Sequence, residues 1–196
     1  KLTLEALRQS GALNLAARGI LATIATFVFF EILPHFPVGV SEVHFILGST
    51  LFLIFGVAPA AFGLAAGLLI QGLFFAPIDL PQYFMNLTSL LVPLFALSVI
   101  AKAVIAPNTA YTDLSYRQAL MLSTSYQAGV VGWVAFWVFY GQGFGAETFA
   151  SVGLFGMAYM SVIILEPLVD LAVLALAKMM RDTPASGLMQ PRVYSA

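Results

Sequence analysis

Pro37-Val38-Gly39-Val40-Ser41-Glu42-Val43-His44-Phe45-Ile46-Leu47-Gly48 decides how this chain folds. It sets an ionisable His, two residues after a carboxylate, at the head of a run from Val43 to Ile78 with no formal charge. At about 1.5 Å per residue, one helix through that run would reach roughly 52 Å, well past a hydrocarbon core of about 30 Å. The run therefore has to fold back, and Gly56-Val57-Ala58-Pro59 is its corner. Gly56 can close the helix before it, and the fixed φ of Pro59 suits the first turn of the helix after it. Ser41–His44 then lies where an aqueous loop enters a membrane hairpin, the place to look for function.

The composition agrees. The chain is 61% hydrophobic and 9% charged, with a mean hydropathy of +0.97, whereas a soluble fold carries roughly 25% charged residues. A net charge of −1 offers no basic cluster to displace counterions, which excludes nucleic acid as a partner. With no cysteine, disulfides and thiolate metal sites are excluded. The sequence opens on Lys1 without the pattern of a signal peptide.

Along the chain, residues 1–18 mix Leu4 and Leu7 with Glu5, Arg8 and Asn14, as in a cytoplasmic or interfacial helix or connector. Residues 19–177 form an all-α, polytopic transmembrane helical bundle with six predicted spans: 19–33, the two arms of the hairpin, 84–106, 119–140 and 149–177. The second arm carries Gly63 and Gly67 at the small-xxx-small spacing that lets a neighbouring helix approach closely. Trp133, Trp137 and Tyr140 gather toward one end of the fifth span, as in an interfacial aromatic belt. Residues 178–196 read as a polar cytoplasmic tail.

All eight Lys and Arg fall before the first span, around the fourth loop, or after the sixth span. The loops on the other side carry Glu42, Asp79 and Glu147. The positive-inside rule places both ends of this chain in the cytoplasm and His44 on the outer side of a cell membrane.

His35 and His44 are the two histidines, and both fall near Glu31, Glu42 and Asp79. A neutral imidazole suits Ni²⁺ and Co²⁺, whereas carboxylates alone favour Mg²⁺ or Ca²⁺. The alternative is that both imidazoles hydrogen-bond loop carbonyls. Two His and no Cys do not make a four-ligand site unaided. Glu166 and Asp170, four residues apart, share a face of the sixth span. They read either as a coupling element or as a pair bonded to Ser123, Ser125 and Gln127. Asn86, Thr88 and Ser89 are equally helix-entry hydrogen bonders or ligand contacts. No Gly-Lys-Ser/Thr occurs, so ATP-driven pumping would need another subunit to hydrolyse ATP.

Pro37 through Gly48, Gly56-Val57-Ala58-Pro59-Ala60-Ala61, Gln71-Gly72-Leu73-Phe74-Phe75 and Met85-Asn86 together resemble the CbiM/NikM family. These are metal-capturing membrane components of energy-coupling-factor ABC transporters for cobalt and nickel. The likeness is clearest from Phe36 to Pro93, and Leu165-Glu166-Pro167-Leu168 is similar to the family's final-helix glutamate. The family's Ser and His leading into Leu-Gly-Gly is stretched here to Ser41-Glu42-Val43-His44, with Ser49 in place of the second glycine, as in a divergent branch.

The resemblance implies that His44 is a metal ligand and that Asn86 lies beside the site, with Ser41, Glu42 and His35 as accessory candidates. It also implies a Met-His-led amino-terminal ligand stretch and one further span ahead of Lys1, about 30–40 residues and seven spans in all. The expected function is capture of Co²⁺ or Ni²⁺ as transported substrate, with no organic cofactor and no catalysis of its own. Uptake would be energised by a transmembrane coupling subunit and ATP-binding subunits in trans, in a bacterial or archaeal cell membrane. The rival reading is a structural or anchoring membrane subunit that retains no metal.

Overall fold

The computed structural model describes residues 2–107 and 109–179. Among them the helices are α1 (Leu2–Phe27), α2 (Gly48–Phe55), α3 (Val57–Phe74), α4 (Tyr83–Val104), α5 (Tyr116–Gln142) and α6 (Ala146–Met179). A small antiparallel hairpin, β1 (Phe36–Val38) and β2 (Ser41–Val43), joins α1 to α2, with Phe36 opposite Val43 and Val38 opposite Ser41. The expected all-α bundle is what the chain forms. Four helical stretches are long and apolar enough to cross a membrane: Ser10–Ile32, Val57–Phe74, Pro77–Val104 and Ala146–Met179. At 27 residues α5 is long enough as well, but its first half carries Gln118, Ser123, Thr124, Ser125 and Gln127.

The count of six continuous spans needs one correction. The expected second span is not a helix throughout: α2 has 8 residues, about 12 Å of rise, too short for a core of about 30 Å. Phe45, Ile46 and Leu47 precede it as irregular chain. Such backbone is tolerated at membrane depth only where protein surrounds it. That is its setting, since Ile46 and Leu47 and the first six residues of α2 are all buried.

Side-chain neighbours give the directions of the legs. The hairpin tip at Gly39 lies on Ser151 of α6, where an added methyl would meet the Ser151 carbonyl at 3.0 Å. Further on, Ile46 reaches Glu166, and Ser49 and Thr50 reach Asp170, so this leg runs parallel to α6. After the corner, α3 runs parallel to α1: Gly63 packs on Ala22, Gly67 on Thr26, and the Phe75 ring meets Phe27 at 5.1 Å. The small-xxx-small pair is thus spent inside the fold, on α1. The predicted corner is where the chain turns, with Gly56 at φ 91°, ψ 165°, a conformation a side chain would strain.

The remaining boundaries follow local causes. Residues 2–27 are two helical stretches meeting at a kink at Gly11 (φ 76°), and the residues after the kink, Arg18 among them, belong to the helix of the first span. A π-helical turn, Val28–Ile32, ends that span and carries Phe30 into the core. Ser115 and Gln118 cap the start of α5 reciprocally. Near the start of α4, Thr88 accepts from the indole N–H groups of Trp133 (3.3 Å) and Trp137 (2.9 Å). From residue 180 on, the expected tail lies outside the described residues.

Candidate functional site

His44 follows β2 directly, at the point where the chain leaves the hairpin for the buried leg. Its position is fixed by two neighbours. The Phe30 ring stands edge-on to the imidazole at 4.5 Å between centroids, and His44 Nδ1 lies 3.2 Å from the Phe45 carbonyl oxygen. A carbonyl only accepts, so Nδ1 carries the proton and Nε2 is left with a free lone pair. Burial pushes the His44 pKa down, which favours the neutral, ligating form.

His35 is engaged differently. Its Nδ1 sits 2.8 Å from Glu42 Oε1 across the hairpin, with both side chains about one-third exposed at 33% and 32%. The hydrogen bond to Glu42 raises the His35 pKa, with burial opposing it. Glu42 is therefore committed to His35 and not to His44. Ser41 is half-buried at the start of β2, and Asn86 half-buried in the first turn of α4. The described residues bring no three His, Asp or Glu side chains close enough together to hold a metal ion.

A second polar centre lies inside the bundle, around the two carboxylates of α6. Glu166 and Asp170 are 0% and 2% exposed. Glu166 accepts from the Ile46 N–H with Oε1 and from the Gln127 side-chain amide with Oε2. Tyr159 in turn donates to Gln127 Oε1 at 3.0 Å. Asp170 accepts from the Thr50 hydroxyl and, at 2.5 Å, from the Ser49 hydroxyl. Ser123 Oγ is buried beside Asp170 without hydrogen-bonding geometry of its own. Of the expected partners, Gln127 bonds to Glu166 and Ser123 lies against Asp170, while Ser125 is half-buried.

These carboxylates sit at the amino-terminal end of α2, where free N–H groups and the positive end of the helix dipole gather. The opposite end of α2 is met by a cation. Arg18, 3% exposed, donates from Nη1 to the Phe55 carbonyl at 3.2 Å, from Nε to Asn14 O at 3.3 Å, and from Nη2 to Ser10. An eight-residue helix thus carries acids at its start and a base at its end. Sequence reading missed Arg18, Ser49, Thr50 and Tyr159. One local signal was present: Ser49-Thr50 after Gly48 is a polar opening to an otherwise apolar run.

A family model described as the cobalt uptake substrate-specific transmembrane region matches residues 4–183. Searches of curated proteins and of solved structures return no match. The matched stretch takes in the hairpin, the broken leg and the carboxylates of α6 alike, and the chain belongs to the CbiM family of cobalt uptake transmembrane proteins.

Proposed function

We propose that this chain captures Co²⁺ or Ni²⁺ at the hairpin end of the bundle, for uptake powered by separate ATPase and coupling subunits. The segregation of Lys and Arg supports an outward-facing hairpin end and an opposite end in the cytoplasm. His44 is the ligand this chain contributes, and donors from outside the described residues complete its shell. Asn86, Ser41, Glu42 and His35 serve as accessory groups, as the family resemblance suggests, and Glu166 and Asp170 couple the site to the rest of the bundle. The protein itself transforms no substrate.

The observation that carries this reading is the hydrogen bond from His44 to the Phe45 carbonyl. It fixes the tautomer and leaves Nε2 as a donor, the arrangement ligating histidines adopt. Full-length protein should retain about one Co²⁺ or Ni²⁺ after purification, as a four-ligand site without a thiolate would. His44→Ala should lose most of that metal while still folding, and His35→Ala should lose little. Binding should fade only below about pH 6.5, since burial moves protonation of His44 downward from its free value. Unchanged metal affinity in His44→Ala would refute the capture site and favour a structural subunit.

A further inference from the structure

The segment after His44 has an unusual problem: it leaves secondary structure inside the bundle. Ile46 is 1% exposed and its N–H has no helix or strand partner. Leu47 adopts a left-handed conformation, φ 50°, ψ 34°, which a non-glycine residue keeps only when its surroundings hold it there. What holds this stretch is Glu166, 120 residues further along the chain, whose Oε1 accepts from the Ile46 N–H. The other oxygen is gripped by Gln127, itself anchored by Tyr159.

We infer that Glu166 is a positioning residue for metal capture: it clamps the backbone two residues past His44, so α6 sets where the imidazole stands. This rests on the reading of His44 as a metal ligand. The role is one of reach and not of charge. Asp170, one turn on, makes a second clasp through Ser49 and Thr50, so a shift of α6 along its axis would carry the His44 segment with it. The capture site and α6 then form one mechanical unit, a direct route for coupling.

Two conservative variants separate reach from charge. Glu166→Gln keeps an oxygen at full reach without the charge, and Gln127 can turn its amide over to match. Glu166→Asp keeps the carboxyl group but falls about 1.5 Å short, one carbon–carbon bond. In full-length protein in detergent, titrated with Co²⁺ alone, Glu166→Gln should stay within about threefold of wild type. Glu166→Asp should bind about tenfold more weakly, the size of leaving one buried donor unpaired. Amide exchange over residues 44–47 should quicken in the Asp variant only. The reverse order, equal loss in both, or no loss in either overturns the clamp. If Glu166→Asp does not fold, Gln127→Leu releases the same carboxylate from its other side, and unchanged Co²⁺ affinity there overturns it too. A His44→Ala control keeps the failures apart. Retained affinity in that control sinks the ligand assignment, while the exchange rates still decide whether Glu166 holds the leg.

Discussion

Arg18→Met removes a buried cation while keeping most of the side chain's length. Three hydrogen bonds disappear, to Phe55 O, Asn14 O and Ser10. Asn14 O is four residues back on the same helix and already accepts within it, so that loss is small. The contact with Phe55 O matters most, because it satisfies a terminal carbonyl of α2 and opposes the negative end of its dipole. A charge-assisted hydrogen bond is worth about 1.5–3 kcal/mol, and a cation at a partly buried helix end adds up to about 2 kcal/mol. Relief from burying the guanidinium offsets part of this. A net loss of about 2–3 kcal/mol is expected. Reversible unfolding in mixed detergent micelles measures it, with amide exchange over residues 52–58 localising the effect. Arg18→Lys, which keeps the charge but not the fork of donors, should lose about half as much. Wild-type stability in Arg18→Met would refute the account of α2 as a helix held at its carboxyl end by the Arg18 cation.

Two further outcomes follow from geometry described above. At Gly67 an added Cβ would stand 2.6 Å from Thr26 Cγ2, whereas at Gly132 nothing lies within 4 Å. Gly67→Val should therefore destabilise by about 1–3 kcal/mol and Gly132→Ala should not, and equal melting of the two would show that α1 and α3 are not packed this closely. The His35 pKa is raised by Glu42, so the stability this pair lends the hairpin is complete below about pH 6.5 and disappears as pH rises through the raised value. Intrinsic-rate-corrected exchange over residues 36–43 should show that loss, and Glu42→Gln should abolish the pH dependence. Protection that does not change with pH in the wild type would count against the pair.

The sequence made the membrane class, the corner at Gly56 and the close-packing glycines legible, because each depends on local composition or on one residue's conformational freedom. It also singled out Glu166 and Asp170, since a carboxylate in an apolar helix is conspicuous whatever its role. Their partners were harder to read. The Ile46 N–H and the Phe55 carbonyl are backbone groups, carried by every residue, and only the failure of α2 to extend leaves them in need of side chains. That failure is itself hidden: Val43 to Phe55 is as apolar as a full span, and hydropathy does not distinguish a helix facing lipid from irregular chain walled in by other helices. Arg18 was counted as a cytoplasmic charge for the same reason, since its burial is set by a carbonyl 37 residues away.

The broken leg also constrains how the protein is made. In the irregular conformation they adopt here, residues Phe45–Leu47 cannot rest in lipid by themselves, because the Ile46 N–H would have nothing to bond. Their acceptor Glu166 emerges from the ribosome 120 residues after Ile46, about 6–24 s later at 5–20 residues per second. Throughout that interval the Ile46 N–H has no Glu166 to bond, so the segment takes its finished conformation only once α6 has arrived. Burial of this leg therefore waits on α6, a helix synthesised well after it. A chain cut short before residue 166 would lack the acceptors of the Ile46 N–H and of the Ser49 and Thr50 hydroxyls, leaving the hairpin and α2 without the helix that buries them.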